Sequence, residues 1–239
     1  MLTNTEQIMC ELDKWVSNRG HVDYSLSLDD AEGNELEGAA EAGDFGNYGL
    51  PLIPGIQQVR KEIEEFVSIL LVEKRLHSVL EIGFGYHGST HFLWRLLFEK
   101  VVSIEINHDR IRMFGTTTKE FYKKWIFNDN RSSFIIGASN DTSAVRKAYE
   151  LFSPGSVDLL FIDGDHKYES VLADWMLYNR LVGRGGIIAF HDILFDKGDQ
   201  GGVPIFVNKL SRGEIDGISH EIQTIKHSQN TGIAYYKQD

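Results

Sequence analysis

The sequence predicts an α/β fold with a doubly wound, mostly parallel seven-stranded sheet and an antiparallel C-terminal hairpin. Between residues 55 and 210, short apolar runs alternate with amphipathic helical patterns, as in a parallel sheet covered on both faces. The tail instead carries two strand-like segments around a Ser-Gln-Asn turn, which is typical of a hairpin. With 239 residues, 42% hydrophobic and 25% charged, the chain suits one α/β domain with modest additions.

The predicted elements follow one another in a regular order. Apolar side chains at helical spacing predict an N-terminal helix over residues 5–17 and an amphipathic helix after Pro54. The predicted strands are Ser78–Ile82, Val101–Ile106, Ser133–Ile136, Val157–Ile162, Gly186–Phe190, His220–Lys226 and Thr231–Tyr236. The predicted helices between them are Ser89–Glu99, Asp109–Trp125, Thr142–Phe152, Tyr168–Leu181 and Val203–Leu210.

Residues 1–54 differ in character from residues 55–239. The stretch Ser25–Pro54 contains seven acidic residues, no lysine or arginine, and many glycines. This composition favours a solvated, flexible loop. The alternative is a lid over the substrate, which the aromatic residues Phe45 and Tyr48 support. The chain is therefore predicted to have an N-terminal helix and acidic loop over 1–54 and a ligand-binding domain over 55–239.

Composition also limits the partners and the compartment. A formal net charge of −11 argues against non-specific binding to nucleic acid or to anionic membranes, since both require a basic surface. The sequence shows no apolar run of membrane-spanning length and no secretory signal at its start. The single cysteine, Cys10, fits a reducing compartment. These features predict a cytoplasmic protein without nucleic-acid or membrane partners, and a homo-oligomer is compatible with them.

Charged side chains crowd at the ends of two predicted strands. Asp163, Asp165 and His166 follow the run Val157–Ile162, and the pair His191-Asp192 follows Gly186–Phe190. In an open α/β sheet, ligands bind in the crevice outside the carboxyl ends of the strands. These residues therefore predict a site with a metal, a base or both, in which Asp165 is expected to cap the helix beginning near Tyr168.

A glycine turn follows the first predicted strand. Gly83, Gly85 and Gly88 allow a ligand to approach the backbone closely, next to the free N–H groups of a helix start. Their spacing, with Glu105 22 positions after Gly83, matches the dinucleotide fingerprint and leaves nicotinamide and S-adenosylmethionine enzymes both open. Glu81 favours S-adenosylmethionine, because a carboxylate there can face an ammonium group but would repel a pyrophosphate.

Four segments together resemble a known family. Val79–Thr90, Val102–Ile106, Ile135–Asp141 and Leu159–Glu169 are similar to the cofactor motifs of class I S-adenosylmethionine-dependent methyltransferases. The two strand-end segments further resemble the small bacterial branch related to macrocin and catechol O-methyltransferases. The resemblance covers about residues 55–239. It implies a Rossmann-like methyltransferase fold, bound S-adenosylmethionine, and Mg²⁺ or a similar divalent cation.

The resemblance also implies a role for individual residues. It places the methionine part of the cofactor at Glu81, Gly83, Gly85, Gly88 and Ser89. It places the ribose at Glu105 and the adenine at Ser139 and Asn140. Asp163 falls where the cofactor and the metal meet, and Asp163, Asp192 and His191 match metal-binding positions. His191 departs from the aspartate of catechol-type enzymes, and His166 stands where those enzymes place a lysine base.

These residues together predict an O-methyltransferase. Carboxylates such as Asp163 suit a hard cation that lowers the pKa of a substrate hydroxyl, and His166 could take the proton near neutral pH. The predicted acceptor is a hydroxyl of a small molecule, a sugar or a sugar-decorated metabolite. An NAD-dependent oxidoreductase and a non-catalytic cofactor-binding module are the alternatives.

Overall fold

The computed structural model describes residues 4–18, 58–73, 75–84, 88–106, 130–194, 201–228 and 231–239, and for residues 15–18 and Ser89 only the backbone. The acidic stretch 25–54, the proposed boundary at residue 54, the predicted helix Asp109–Trp125 and Gly85 lie outside the described residues. The division into 1–54 and 55–239 therefore stays a prediction.

Six helices and seven strands make up the described part of the chain. The helices are α1 (Thr5–Asn18), α2 (Arg60–Glu73), α3 (Ser89–Leu97), α4 (Thr142–Leu151), α5 (Tyr168–Tyr178) and α6 (Gly202–Ser211). The strands are β1 (Ser78–Ile82), β2 (Lys100–Glu105), β3 (Ser132–Ile136), β4 (Val157–Ile162), β5 (Val182–His191), β6 (Gln223–Ile225) and β7 (Ile233–Lys237). A 3₁₀ turn, Asn179–Leu181, joins α5 to β5.

The seven strands form one sheet in the order β3-β2-β1-β4-β5-β7-β6. The first five pair in parallel, and β7 pairs antiparallel with both β5 and β6. The predicted doubly wound sheet with an antiparallel hairpin is therefore confirmed. The strand order reverses between β1 and β4, and the carboxyl ends at such a switch point form the usual ligand crevice of an open α/β sheet.

Helices cover both faces of the sheet because the strand side chains alternate between two apolar cores. Val79, with the side chains of α1, α2 and α3, belongs to one core, and Leu80, with α4, α5 and α6, belongs to the other. Glu81 shares the face of Val79 and so points toward α3. Among the described helices, none combines the length and the apolar character that crossing a membrane requires.

The observed boundaries differ from the predicted ones mainly at two strands. β5 begins at Val182, four residues earlier than predicted, because the glycine-rich start of the strand still pairs with Val157 across an irregular step. A side chain at Gly183 would collide with the carbonyl oxygen of Gly155, 2.4 Å from the position of a Cβ. β6 is shorter than predicted, with Gln223–Ile225 alone in the ladder.

Candidate active site

Backbone hydrogen bonds fix the turns after β1 and β4 to the neighbouring strands at the carboxyl edge. The Gly83 N–H donates to the Ile104 carbonyl at 2.9 Å, and the Asp163 N–H donates to the Ile82 carbonyl at 2.9 Å. Gly83 has a φ of 94°, and a Cβ on it would lie 2.0 Å from the Asp163 carbonyl oxygen. Only glycine fits there, so the glycine turn directly contacts the first residue of the acidic cluster.

Glu81 is a fully buried carboxylate beneath this turn. The Trp94 indole donates to its Oε1 at 2.8 Å, and the Ser103 hydroxyl donates to its Oε2. Burial raises the pKa of Glu81 to about 7, although the hydrogen bonds from Ser103, Thr90 and Trp94 work in the opposite direction. A carboxyl group held this way changes its ionisation readily when a cationic group arrives.

The polar network under Glu81 extends to His91, which the sequence analysis did not single out. His91 is fully buried; its Nδ1 lies 2.6 Å from the Ser103 hydroxyl and its Nε2 lies 3.0 Å from the Ser132 hydroxyl. The ring stacks on Phe134 with 4.7 Å between ring centroids. Its position on α3, one helical turn from Trp94, gave no signal separating it from an ordinary core residue.

The residues predicted to contact ribose and adenine lie at the ends of β2 and β3. The Glu105 carboxylate is buried, and its Oε2 accepts a hydrogen bond from the Phe84 N–H at 3.2 Å. Ser139 is half-buried and Asn140 is exposed in the turn after β3. The Tyr178 hydroxyl, from α5, donates to the Ser139 carbonyl and so ties this turn to the helix.

Three metal-ligating side chains converge where β4 and β5 end. Asp163, His191 and Asp192 each offer one ligand atom, and these atoms all lie within 4.8 Å of one another. His191 Nδ1 is 3.0 Å from Asp192 Oδ2 and 3.3 Å from Asp163 Oδ1. Neither contact has hydrogen-bond geometry, and among the described residues the two buried ring nitrogens of His191 therefore have no hydrogen-bond partner.

The cluster is charged and locally strained. Burial opposes protonation of His191, but the carboxylates of Asp192 and Asp163 raise its pKa well above the ordinary value. Burial likewise opposes ionisation of Asp192, yet the imidazoles of His191 and His166 hold its pKa well below the ordinary value. Asp192 has a φ of 59°, a left-handed conformation that is uncommon outside glycine and concentrates at functional sites.

His166 lies beside the cluster. Its Nε2 is 2.9 Å from Asp192 Oδ2, and its side chain is 31% exposed. Burial lowers the pKa of His166, but the hydrogen bond and the charge of Asp192 outweigh it and raise the pKa above its ordinary value. Asp165 does not cap the following helix, because Lys167 occupies the N-cap position and Asp165 instead accepts a hydrogen bond from the Ser170 hydroxyl at 2.7 Å.

One further residue reaches the cluster from far away in the chain. The Gln58 amide nitrogen donates to Asp163 Oδ2 at 2.9 Å, and the Gln58 side chain is buried. Nothing in the sequence marks this glutamine, since a polar residue ahead of an amphipathic helix is usual.

The donor set fits a divalent cation. Two carboxylates and a buried imidazole that has no hydrogen-bond partner among the described residues surround one small volume. Carboxylate oxygens suit Mg²⁺ and Mn²⁺, whereas the imidazole favours a transition-metal ion. The glycine turn is packed against Asp163, since a Cβ on Gly83 would lie 2.0 Å from the Asp163 carbonyl oxygen, so a cofactor bound on this turn would lie beside the acidic cluster.

A family model described as a methyltransferase domain matches residues 80–193. That span includes Glu81, the glycine turn, Glu105, Asp163–His166 and the His191-Asp192 pair. Residues 80–193 form a methyltransferase domain, the kind of domain that the family resemblance implies. The family resemblance is thereby confirmed, and the narrower resemblance to the small bacterial branch stays a prediction.

Solved structures share the fold of this methyltransferase domain. An O-methyltransferase from Bacillus cereus, in complex with S-adenosylhomocysteine, has a TM-score of 0.56 at 16% identity, over 80% of this chain and 85% of that one. The O-methyltransferase TomG from Streptomyces achromogenes, in complex with S-adenosylmethionine, has a TM-score of 0.53 at 12% identity, over 78% and 83% of the two chains. At these identities the likeness establishes the fold.

A relative by sequence comes from a virus. An uncharacterised protein of Acanthamoeba polyphaga mimivirus is 40% identical over 70 residues, which are 26% of this chain and 32% of the viral protein. The match therefore spans about a third of the length of that curated relative.

The methyltransferase domain brings most of the predicted site residues to one edge of the sheet. Glu81, Gly83, Glu105, Asp163 and Asp192 lie at the carboxyl ends of β1, β2, β4 and β5. Asn140 is exposed and Ser139 is tied by its backbone to α5. Gly85 and the Ser89 side chain lie outside the described atoms, so their roles stay predictions.

Proposed function

We propose that the chain is an S-adenosylmethionine-dependent, divalent-metal-assisted O-methyltransferase that acts on a hydroxyl of a small molecule. The observation that carries the proposal is the contact between the glycine turn and the acidic cluster. Gly83 packs on the backbone of Asp163, and the ligand atoms of Asp163, His191 and Asp192 lie within 4.8 Å of one another. A methyl donor over the turn and a hydroxyl at the cluster would therefore be neighbours.

The cofactor edge has residues for each part of S-adenosylmethionine, which when bound supplies an electrophilic methyl group. Glu81 lies beneath the turn where the cofactor ammonium group is expected, and its pKa of about 7 lets it ionise on binding a cation. Glu105 is fixed by the Phe84 N–H and would accept hydrogen bonds from the ribose hydroxyls. The turn containing Ser139 and Asn140 would flank the adenine.

The strand-end residues would prepare the acceptor. A divalent cation at this cluster, when bound, would orient a hydroxyl and lower its pKa. Asp163, Asp192 and His191 would hold the cation, and His166 would take the hydroxyl proton. The resulting imidazolium is paired with Asp192, 2.9 Å away, so the proton has a favourable destination.

The acceptor is proposed to be a sugar or a sugar-decorated metabolite, from the resemblance to macrocin-type enzymes. Oxygen as the acceptor atom is supported by two structural neighbours that are named O-methyltransferases. A cytoplasmic location is proposed from the single cysteine, Cys10, and the acidic net charge of −11 favours a chain without nucleic-acid or membrane partners. A homo-oligomer is compatible with this composition.

Cofactor choice is tested by thermal-shift titration. S-adenosylhomocysteine should raise the melting temperature of the chain, whereas NAD and NADH should leave it unchanged, because Glu81 would repel a pyrophosphate. Stabilisation by NADH alone would replace the methyltransferase with the oxidoreductase alternative.

Catalysis is tested with a radiolabelled methyl donor and a panel of sugars and glycosylated metabolites. Methyl transfer should stop on chelation and fall at least 100-fold, roughly the effect of one acid–base group, in His166→Ala. Transfer that survives both treatments would remove the proposed metal and base while leaving the cofactor. Binding of S-adenosylhomocysteine without transfer to any acceptor would favour the non-catalytic module.

A further inference from the structure

Gln58, two residues before α2, contacts the acidic cluster. Its Nε2 donates to Asp163 Oδ2 at 2.9 Å across a sequence separation of 105 residues. The other oxygen of the same carboxylate, Oδ1, lies 3.3 Å from His191 Nδ1. Asp163 is thus held between the amide of Gln58 and the imidazole of His191.

Among the described residues, none forms a hydrogen bond with the second polar atom of the Gln58 amide. The side chain is 2% exposed, and Oε1 is a buried oxygen without a hydrogen bond. A buried carbonyl oxygen without a partner costs free energy that a folded protein rarely leaves uncompensated. Because the amide nitrogen is fixed on Asp163, Oε1 must lie close to the same carboxylate.

The backbone that carries Gln58 is held firmly at this edge. Glu62, one helical turn later, is fully buried and accepts four hydrogen bonds. They come from the N–H groups of His227, Ser228 and Gly232 and from the Thr231 hydroxyl, at 2.8–3.1 Å. α2 is therefore fastened to the turn between β6 and β7, and Gln58 is presented to the cluster on a rigid support.

We propose that Gln58 is a further ligand of the divalent cation, offering Oε1 while its Nε2 orients Asp163. The inference rests on the proposed metal-assisted function. Amide carbonyl oxygens are ordinary ligands of hard divalent cations. Together with Asp163, His191 and Asp192, the glutamine would raise the number of protein ligands from three to four, and the cation would satisfy the buried oxygen.

The test measures binding of Mn²⁺, followed by the electron paramagnetic resonance signal of the free ion, to the full chain with S-adenosylhomocysteine present. Gln58→Met removes the oxygen and should weaken Mn²⁺ binding at least 10-fold, the scale of losses around metal sites. Gln58→Glu keeps an oxygen ligand and adds charge, so its affinity should equal or exceed that of the wild type. Gln223→Met, at an exposed glutamine of β6, should bind Mn²⁺ like the wild type.

Each alternative gives a different pattern. If Gln58 acted only by orienting Asp163, Gln58→Glu would bind Mn²⁺ more weakly than the wild type, because the glutamate cannot donate a hydrogen bond to Asp163 Oδ2. Unchanged affinity in Gln58→Met, with binding lost in Asp163→Asn, would overturn the inference but keep the metal site. No binding of Mn²⁺ by the wild type would overturn both the inference and the metal-assisted part of the proposed function. The melting temperature without metal shows that each variant is folded.

Discussion

Individual buried carboxylates show how burial, rather than charge pairing, sets ionisation at the cofactor edge. Glu81 and Asp174 are 0% and 2% exposed, and burial raises the pKa of each to about 7. The Glu81 carboxylate accepts from the neutral Trp94 and Ser103, and Asp174 is bonded to Ser139. Neutral donors compensate burial only in part, so both groups hold a proton far above the pH at which a free carboxyl would release it.

Asp174→Asn is expected to change the pH dependence of stability. The folded pKa of Asp174, about 7, lies above its ordinary value of 3.8, so its contribution is complete below about pH 4 and is lost as pH rises through 7. Asparagine has no ionisable proton, so the variant does not lose stability in this way. For the wild type the loss in stability is about 4 kcal/mol at most. Urea unfolding without cofactor should therefore show the stability of the variant relative to the wild type rising by about 2–3 kcal/mol from pH 5 to pH 8.

The control for this prediction is Glu169→Gln, an exposed carboxylate on the same helix. Its stability should follow the wild type at both pH values. If the difference in stability between the wild type and Asp174→Asn were the same at pH 5 and pH 8, the pKa of Asp174 would not be raised in the folded chain.

At the scale of elements, the start of α2 joins two parts of the fold that are distant in sequence. Gln58 bonds to the residue after β4, and Glu62 bonds to the turn between β6 and β7. Since β7 pairs with β5, this turn lies at the same edge of the sheet as the acidic cluster. Residues 58–62 thus connect both to the C-terminal hairpin and to the wall of the candidate site.

Glu62→Gln should destabilise the chain by about 3 kcal/mol, the scale of losing hydrogen bonds to a buried charged group. In this variant one carboxylate oxygen is replaced by an NH₂ group. That group is a donor, so it cannot accept hydrogen bonds from the N–H groups of His227, Ser228 or Gly232. Urea unfolding gives the loss in stability, and hydrogen exchange should speed up at Ser228 and Gly232.

Glu65→Gln is the matched control. Glu65 is on the same helix, is 49% exposed, and contacts the ring of His227 at 2.6 Å. Its replacement should cost less than about 1 kcal/mol, as for an exposed ion pair. Equal losses in the two variants would show that the hydrogen bonds of Glu62 do not hold the turn.

At the scale of the whole molecule, stability is distributed from the middle of the sheet outward. All five residues of β1 are buried, and five of the six residues of β4 are buried. β3 and β6 end the sheet on either side, with one buried residue each. The ligand crevice lies at the ends of the well-buried strands, so a ligand bound there should contact the most stable part of the fold.

Hydrogen exchange under native conditions should follow this gradient. Amides of β1 and β4 should exchange only on global unfolding, whereas amides of β3 and β6 should exchange through local opening. Mass spectrometry of peptides from each strand measures the order. Protection of β6 equal to that of β1 would contradict it.

The sequence alone was sufficient for the fold and for the edge at which the candidate site lies. Apolar runs and helical periodicity are local in the chain, so β1, β4 and the described helices between the strands could be predicted from short windows. The end of a buried strand is also a local signal, which is why Asp163, His166, His191 and Asp192 could be singled out before any contact was known.

The tertiary structure decided which of these groups touch each other and which distant residues join them. Gln58 meets Asp163 across 105 residues, and Glu62 meets Thr231 across 169. The tertiary structure also shows that Asp165, predicted to cap a helix, instead accepts a hydrogen bond from Ser170. Such pairs depend on how helices pack against the sheet, and a hydrogen bond needs positions correct to within a few tenths of an ångström. Local sequence patterns do not specify atomic positions with that precision.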